Sequence, residues 1–278
     1  MRKSRHTAVR LMRNGSALIG FVVLLVVVGG ALLAGLIAPR PPAEIDLELA
    51  LTPPSIEHPF GTDAFGRDVL SRVLHGARIS LGVGFMARTI SLLLGLALGT
   101  VAGFFGGKLD TLIMRIADIT FAFPALLLLI AIMAVITPGM ISLFVVLGIV
   151  GWAAMARLVR VQVLSVRERE YVQAAKAAGA GPLGLVFRHI LPQCIAPVIV
   201  VYTLGLGMTI MAESSLSFLG LGVQPPDPSW GSMISRGIPF MRRAPWLTLF
   251  PGLVLTSTVC ALNLLGDGLR DILDPRGR

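Results

Sequence analysis

Six long apolar stretches restrict this chain to one kind of architecture. They occupy residues 17–38, 81–105, 119–137, 140–156, 195–222 and 247–265. In the hydrocarbon core of a bilayer every backbone polar group must be satisfied within the segment, so a spanning helix needs about 20 apolar residues. Charged residues make up only 14% of the 278, which is too few to cover a water-facing globule. The sequence therefore predicts an all-α membrane protein with six transmembrane helices.

The first apolar stretch follows several basic residues, as the apolar core of a secretory signal does. At 22 residues it is longer than that core, which has about 7–15, and further spans follow it. We therefore interpret it as a retained span. The predicted organisation is an N-terminal segment with the first span at 1–38, an outer loop at 39–80 and a core of five spans at 81–278.

The positions of lysine and arginine indicate orientation, because cytoplasmic loops are enriched in both. If the N-terminus is inside, the inner segments carry sixteen of these residues and the outer segments carry seven, with Arg88 inside the second span. Both termini are therefore predicted to be cytoplasmic. The formal net charge of +9 is then a signal of topology and not of nucleic-acid binding. Arg88 is expected to reach outward to the interface or to face a wet cavity.

The outer loop 39–80 has two parts. Its first part is rich in proline and is predicted to run extended. From Arg67 onward, apolar residues recur with helical periodicity, which predicts a short amphipathic helix that either lies on the outer interface or packs over the bundle. Four residues in this part belong to types that bind metals: His58, Asp63, Asp68 and His75. Their spacing matches no ligand pattern, so no metal site is predicted.

Glycines and tryptophans predict two features of packing. Gly95, Gly99 and Gly103 lie at every fourth position of the second span and leave one helix face bare, which allows another helix to approach closely. Trp230 and Trp246 precede the last span and are expected in the aromatic belt at the membrane interface.

The segment 157–194, between the fourth and fifth spans, is much longer than a turn requires. Helix-forming residues run over 167–178, and Gly179 stands where a left-handed residue ends many helices. Pro182 matches the first turn of a second helix, and Pro192 is expected to end it. The sequence predicts two short helices that meet at an angle at Gly179.

The first of these helices carries a flat apolar face. It is formed by Ala174, Ala175 and Ala178, with Tyr171 about one turn earlier. Such a face suits insertion into a groove on another protein. Basic residues surround it, however, and a helix resting on lipid headgroups is also rich in them. Composition alone leaves both interpretations open.

A spacing in this segment resembles a known signature. The residues QAA at 173–175 are followed by three residues, Gly179, nine residues and then HILP at 189–192. The register is that of the cytoplasmic signature E-A-A-x3-G-x9-I-x-L-P of bacterial ABC importer permeases, with Gln173 in place of the glutamate and His189 in place of the isoleucine. Four further stretches resemble the dipeptide, oligopeptide and nickel group, and within it the second permease of the usual pair: HPFGTDAFGRDVLSRVLHGARISL, KLDTLIMRIADITFAFP, SFLGLGVQPPDPSWGSMI and NLLGDGLRDILDP.

The resemblance implies a type I ABC importer permease fold with five core helices and one N-terminal helix. It also implies a heterodimer with a second, homologous permease, one or two cytoplasmic ATPase subunits docked at 167–192, and an extracytoplasmic substrate-binding protein. ATP and Mg²⁺ would be bound by the ATPase subunits, so no cofactor is expected in this chain. The coupling helix that sits in the ATPase groove would comprise Tyr171, Gln173, Ala174, Ala175, Lys176, Gly179 and Ala180.

Glu213 is the acidic residue that lies deep within a predicted span. A carboxylate within a membrane normally faces a cavity or a partner group. Hydrogen bonds from the nearby Ser214 and Ser217 would satisfy it, which is the structural role that we favour. The alternative is that these three residues line the substrate path and meet a positive amino group.

Other classes of protein fit less well. A self-sufficient ATP-driven pump needs a phosphate-binding loop, and the nearest stretch, 106–109, lacks the earlier glycine and the Ser or Thr. An intramembrane serine protease needs a histidine within the bilayer, but all four histidines fall outside the predicted spans. A secondary transporter is the other alternative, but it would not need the alanine-rich segment. We predict a transport subunit of the inner membrane that is not an enzyme, with peptides as the first expected cargo and nickel chelates, glutathione or opines as alternatives.

Overall fold

The computed structural model describes residues 15–273. Residues 1–14 and 274–278 lie outside this part, together with the basic side chains that they contribute to the predicted orientation. The described residues are mostly helical and form no β-strand, apart from an isolated bridge between Thr62 and Asp68. The prediction of an all-α protein is confirmed.

The described helices are, in chain order, α1 (Gly15–Leu32), α2 (Ala34–Ile37), α3 (Val69–Phe105), α4 (Gly107–Phe121), α5 (Ala125–Met133), α6 (Met140–Arg167), α7 (Glu170–Ala177), α8 (Pro182–Gly184), α9 (Leu191–Phe218), α10 (Trp230–Gly237) and α11 (Trp246–Leu273). A π-helical turn, Leu185–Ile190, joins α8 to α9, and 3-10 turns lie at Leu47–Leu49 and Ile238–Phe240. Within the described part, five helical stretches are long and apolar enough to cross a membrane. The bent pair of α4 and α5, taken as one span, makes six, which is the predicted number.

The second span begins earlier than predicted. The amphipathic residues after Asp68 are the first turns of α3, a single helix of 37 residues, so the separate interfacial helix is not formed. The Asp68 carboxylate caps α3 by accepting hydrogen bonds from the Ser71 N–H at 2.7 Å and the Ser71 hydroxyl at 2.9 Å. Val69 and Val73 are buried, and no proline interrupts the sequence from Val69 to Phe105. The helix therefore continues without a break from the packed outer loop into the bundle.

The third predicted span, 119–137, is not one straight helix. Pro124 immediately precedes α5, lacks the N–H that a continuous helix would use and disfavours helical conformation at Phe123. With nine residues, α5 is about 13 Å long and too short to cross a bilayer alone. A membrane crossing here would need α4 as well, and the two helices are bent by 86°.

We call residues 167–192, where an ATPase is predicted to dock, the coupling segment. The helices on either side of it are longer than expected. Helix α6 continues past the predicted end of the fourth span at Ala156 as far as Arg167. On the other side, α8, the π-helical turn and α9 form one helical stretch, Pro182–Phe218. The expectation that Pro192 ends a short helix is wrong, because this proline lies in the first turn of α9, where it is tolerated.

Helices α3 and α6 make the most extensive helix–helix contact of the bundle. Gly95, Gly99 and Gly103 lie in this contact, as predicted. A Cβ atom on Gly99 would lie 2.5 Å from the carbonyl oxygen of Ala156, so a larger residue has no room there. The Ser91 hydroxyl adds a hydrogen bond of 2.9 Å to a carbonyl oxygen of α6. The two helices form the closely packed centre of the molecule.

Arg88 takes neither of its two expected positions. Its side chain is buried, and its Nη2 donates a hydrogen bond to the carbonyl oxygen of Val201 at 2.7 Å. Its Nε donates to the carbonyl oxygen of Tyr202 at 3.3 Å. The guanidinium group therefore joins α3 to α9 inside the bundle.

Both ends of the described chain lie at the same end of the bundle as α7. Gly20 of α1 lies against Leu264 of α11, and Arg270 near the end of α11 lines the same cavity as Tyr171 of α7. We name this the coupling end. Residues 39–68 and the continuous stretch from the start of α10 to the start of α11 form a cap over the opposite end. Which end faces the cytoplasm stays a prediction from the distribution of basic residues.

Both tryptophans of the cap donate hydrogen bonds to backbone carbonyl oxygens, and one of them is fully enclosed. Trp230 is fully buried, and its indole N–H donates a hydrogen bond to the carbonyl oxygen of Val73 at 3.2 Å. The indole N–H of Trp246 donates to the carbonyl oxygen of Thr62, also at 3.2 Å. The expectation that Trp230 belongs to an interfacial belt is therefore wrong, because its ring fills the interior of the cap.

Candidate functional site

The candidate site is the segment between α6 and α9, with α7 at its centre. Helix α7 has eight residues, of which Val172 is buried. Val172 packs into an apolar cluster with Val163 and Val166 of α6 and with Leu185 and Ile190 of the π-helical turn. One valine thus fixes the orientation of α7 relative to the two long helices that flank it.

A left-handed residue ends α7. Gly179 has a φ of +89°, a conformation that glycine adopts without steric cost. The N–H of Ala180 donates to the carbonyl oxygen of Ala175, and the N–H of Gly179 donates to that of Lys176, both at 3.0 Å. These two bonds are those of a Schellman motif, so the helix end predicted at Gly179 is confirmed.

The residues predicted to contact an ATPase are accessible on this segment. Tyr171 is 45% exposed. Gln173, Ala174, Lys176 and Gly179 are exposed as well, while Ala175 and Ala180 are half-buried. A Cβ atom added at Gly179 would meet no atom of the described chain within 4 Å. The segment therefore presents a flat surface with an open turn at its edge. That these residues bind an ATPase stays a prediction.

Gln173 has a local role that its sequence position did not reveal. Its side-chain Nε2 donates a hydrogen bond of 2.9 Å to the carbonyl oxygen of Arg167, the last residue of α6. A carbonyl at a helix end lacks an intrahelical donor, so this bond satisfies it. A glutamate at 173, as in the family signature, would have no N–H to donate.

Sequence reasoning also missed Arg167 as a structural residue. Its Nη1 donates to the carbonyl oxygens of Gly103 and Phe104, each at 3.1 Å, at the end of α3. A basic side chain that binds the last carbonyls of a helix also interacts favourably with the helix dipole. The coupling segment is thereby attached to α3 as well as to α6 and α9. The sequence feature that could have identified this role is a basic residue at the end of the helix that contains the fourth span.

Two ion pairs connect α4 to α6 at the coupling end. Arg160 binds Asp110 through two hydrogen bonds of 2.5 and 2.6 Å. Arg157 binds Asp118 at 2.5 Å and lies over the ring of Phe121, 4.2 Å from its centroid. These contacts hold the bent α4–α5 pair against the helix that leads into the coupling segment.

The second half of the segment has an apolar exterior that was not predicted. Leu183 is 74% exposed and Phe187 is 64% exposed, whereas Leu185 and Ile190 beside them are buried. A cavity of about 720 Å³ opens next to α7, and its polar lining includes Gln162, Arg169, Tyr171, Gln193 and Arg270. The coupling end thus combines exposed apolar side chains with a basic cavity.

Glu213 lies far from this segment and is fully buried in α9. Its carboxylate accepts hydrogen bonds from the Ser217 hydroxyl at 2.8 Å and the Ser214 hydroxyl at 3.1 Å. The Ser80 hydroxyl of α3 also interacts with it. In this conformation the carboxylate is satisfied inside the chain, which supports the structural role. That Glu213, Ser214 and Ser217 line a substrate path stays a prediction.

The four residues considered as metal ligands bond to other groups of the chain or, for His58 and Asp68, to each other. Asp63 binds Arg67 at 2.7 Å, and Asp68 binds the Nδ1 of His58 at 2.8 Å. The ring of His75 bonds to the backbone carbonyl oxygen of Ser71 at 2.9 Å. Within residues 15–273, no group of three or more His, Cys, Asp or Glu side chains is arranged to hold a metal ion.

Two family models match this sequence. The model described as the binding-protein-dependent transport system inner membrane component matches residues 95–278, which include the coupling segment. A second model, described as the N-terminal TM domain of oligopeptide transport permease C, matches residues 5–54. The first match covers well over half of the chain.

Named relatives are similar over nearly the whole chain. A putative peptide transport system permease protein of Brucella abortus is 46% identical over 270 residues, covering 97% of this chain and 91% of the relative. A dipeptide transport system permease protein of Alkalihalophilus pseudofirmus is 44% identical, with coverages of 98% and 90%. An oligopeptide transport system permease protein of Bacillus subtilis is 40% identical, with coverages of 99% and 90%. With its apolar helices and its exposed coupling segment, the chain belongs to the family of inner-membrane permease components of binding-protein-dependent transport systems.

Proposed function

We propose that this chain is one of two permease subunits of an ABC importer that moves di- and oligopeptides across the inner membrane. Cytoplasmic ATPase subunits dock on residues 167–192 and drive transport, and they bind the ATP and Mg²⁺. A second, homologous permease completes the transmembrane path, and an extracytoplasmic binding protein delivers the substrate. Both termini and the coupling end face the cytoplasm.

The observation that carries this proposal is the construction of the coupling segment. Helix α7 exposes Ala174 and Tyr171, ends in an open left-handed turn at Gly179 and is held to the bundle by Val172. An apolar helix face without a partner in its own chain suits a groove on another protein. The lipid headgroup alternative gives no reason for the signature spacing or for an open turn at the edge of the face.

The same construction suggests how motion is transmitted. Helix α6 leads into the segment without a break after Met140, and the helical stretch Pro182–Phe218 leads out of it. Arg167 attaches the segment to the end of α3. Because these elements are long and bonded to one another, a displacement of α7 is passed to three spanning helices. Closure of the ATPase dimer would then move the spans between inward-open and outward-open arrangements, which is alternating access.

The relatives support peptides as the cargo. The relatives from Brucella abortus, Alkalihalophilus pseudofirmus and Bacillus subtilis are named for peptide, dipeptide and oligopeptide transport, and the similarity extends over at least 97% of this chain. Selection among peptides would rest largely with the binding protein.

The test of the coupling role is Gly179→Asp. The new side chain has space within this chain, so a loss of function would come from the strained turn or from a partner against it. We expect ATP-dependent uptake into proteoliposomes to fall to background while the protein still inserts into the membrane. Full uptake by this variant would contradict the docking of an ATPase at this turn.

Two matched variants separate the causes of such a loss. Gly181→Asp places the same charge two residues away, at a φ of −69° that strains no side chain. Gly179→Asn keeps the size of aspartate without its charge and tolerates the left-handed conformation better than most residues. We expect near-normal uptake from Gly181→Asp and a partial loss from Gly179→Asn. Copurification of the ATPase subunits with each variant shows whether docking itself has failed.

A further inference from the structure

A cavity of about 330 Å³ lies in the cap, at the end of the bundle opposite the coupling segment. It is formed between the start of α3 and the pair α10–α11. Its apolar walls are Val69, Met233, Phe240 and Leu247. Asp63 and three arginines, Arg67, Arg72 and Arg236, contribute its charged groups.

The charges in this cavity do not balance. Asp63 binds Arg67 at 2.7 Å and lies 3.7 Å from Arg72, so one carboxylate serves two guanidinium groups. Arg72 is 2% exposed and also donates to the carbonyl oxygen of Pro42 at 2.8 Å. Arg236 forms no hydrogen bond or ion pair through its side chain with the described residues. Three positive charges against one negative charge leave an excess of two within a small volume.

The pKa of Arg236 reflects this excess of positive charge. Partial burial, followed by the charge of Arg67, lowers the pKa of Arg236 from its ordinary value, against the smaller opposite effect of Asp63. Arg236 is accessible to solvent, and an opposite charge brought next to it would relieve this repulsion.

The cavity is also rigid. Asp63 accepts hydrogen bonds from the backbone N–H groups of Phe65 at 2.9 Å and Arg67 at 3.1 Å, which fixes its carboxylate. Arg72 is held between this carboxylate and the Pro42 carbonyl oxygen. A site whose charged groups are already held in position loses little conformational entropy when it binds a ligand.

We propose that this cavity receives a carboxylate side chain, accompanied by an apolar side chain, from the extracytoplasmic substrate-binding protein. The inference rests on the proposed function, in which that protein approaches the end opposite the ATPase subunits. The excess positive charge selects an acidic group, and the walls of Val69, Met233, Phe240 and Leu247 accept an apolar neighbour. Arg236 is the cation at this site that has no carboxylate of its own.

The test measures the affinity of the purified cognate binding protein for the intact transporter complex in nanodiscs. Arg236→Glu is expected to weaken binding about tenfold or more and to flatten its dependence on salt, because an attractive charge becomes a repulsive one. Arg236→Gln should lie between this variant and the wild type. The matched control is Arg243→Glu, an exposed arginine of the same cap outside the cavity, which should change affinity by about twofold or less. A lysine in place of the contacting acidic residue of the binding protein should restore affinity to Arg236→Glu.

Three results would overturn the inference. Equal binding by Arg236→Glu and the wild type would show that the cavity is not a contact. An effect confined to the peptide-loaded binding protein would assign the carboxylate to the peptide, and an effect confined to nanodiscs with anionic lipid would assign the site to a headgroup. If the binding protein fails to stimulate ATP hydrolysis by the wild-type complex, the proposed function itself is wrong. The two failures are therefore distinguishable.

Discussion

The cap and the coupling segment lie at opposite ends of one bundle, and they treat polar and apolar groups in opposite ways. In the cap, His58 and Asp68 form a hydrogen-bonded pair whose side chains are 2% and 0% exposed, and Trp230 is fully enclosed. In the coupling segment, Val172 is buried, while Tyr171 and Phe187 remain 45% and 64% exposed. Except at Arg236 and at the Nε2 of His58, these polar groups of the cap are paired within the chain, whereas the coupling segment leaves large apolar side chains exposed.

This difference teaches where each end obtains its stability. Buried polar groups that are hydrogen-bonded within the chain stabilise the cap without help from another protein. Removal of one member of such a pair leaves the other unsatisfied and destabilises the fold. Exposed apolar side chains contribute no burial free energy to the isolated chain, but they would contribute it when another protein covers them. Substitutions in the cap should therefore lower the stability of the isolated chain, whereas substitutions in the coupling segment should mainly impair coupling to a partner.

The largest expected effect is that of Trp230→Ala. Removing a fully buried indole leaves a cavity and removes the hydrogen bond to the Val73 carbonyl oxygen, which should lower the free energy of unfolding by about 3–5 kcal/mol. Thermal unfolding of the purified chain in detergent measures it. Trp230→Phe keeps most of the ring volume and should cost roughly half as much. Equal melting temperatures for the wild type and Trp230→Ala would show that the cap is not the more self-sufficient end.

Asp68→Ala comes next. It removes the N-cap of α3 and leaves the buried His58 without its partner, so we expect a loss of about 2–3 kcal/mol of stability. Asp68→Asn retains an acceptor for the cap and should lose less. Asp46→Ala is the matched control from the same loop, because its ion pair with Arg40 is solvent-exposed and should contribute under about 1 kcal/mol. A similar loss in Asp46→Ala would weaken the distinction between buried and exposed pairs.

Val172→Ala tests the other end. Its loss of two buried methyl groups should cost about 2 kcal/mol locally, which loosens α7 from the bundle without unfolding the spans. The expected result is continued ATP hydrolysis with fewer peptides transported per ATP, measured in proteoliposomes. Leu183→Ala, which truncates an exposed apolar side chain of the same segment, should leave the melting temperature unchanged. A global loss of stability from Val172→Ala as large as that from Trp230→Ala would contradict the comparison.

Gln173→Glu should have the smallest effect. It removes the hydrogen bond to the Arg167 carbonyl oxygen, but both groups can bond to water at this exposed position, so stability should change by about 0.5 kcal/mol or less. Uptake should be retained, since the family signature carries glutamate at this position. Gln173→Ala, which removes both possible side-chain contacts, serves as the comparison. Loss of uptake from Gln173→Glu alone would show that the bond to Arg167 matters for coupling.

The sequence was a good guide wherever a local rule decides the structure. The number of apolar crossings follows from length and hydropathy, and the end of α7 follows from the freedom of Gly179 to adopt a positive φ. The close contact of α3 with another helix was predicted from the glycines at 95 and 99, because small residues at that spacing allow two helix backbones to approach. The residues alone did not decide whether the alanine face binds a protein groove or lipid headgroups. The interpretation of the coupling segment as a docking site for an ATPase came from its resemblance to the family signature.

The errors arose where two distant parts of the chain meet. Trp230 was predicted at the membrane interface, but its indole N–H donates to the buried carbonyl oxygen of Val73. Arg88 was predicted to reach the interface or a wet cavity, but its guanidinium group donates hydrogen bonds to carbonyl oxygens of α9. Pro192 read as a helix end, but the π-helical turn before it merges into α9. The outcomes for Trp230 and Arg88 depend on partners far away in sequence, which no local pattern encodes, whereas the outcome for Pro192 is a helix boundary set by adjacent residues.

By itself, the amino-acid sequence determined that this chain crosses the membrane with about six apolar segments and carries a long segment with an alanine face between two of them. Hydropathy and helix propensity act on neighbouring residues, so these properties need no knowledge of tertiary contacts. Only the tertiary structure decided that Val172 anchors this segment, that Gln173 and Arg167 bind helix ends, and that two arginines share one aspartate in the cap. Those arrangements depend on where packing brings helices together, because burial and pairing are properties of the assembled bundle.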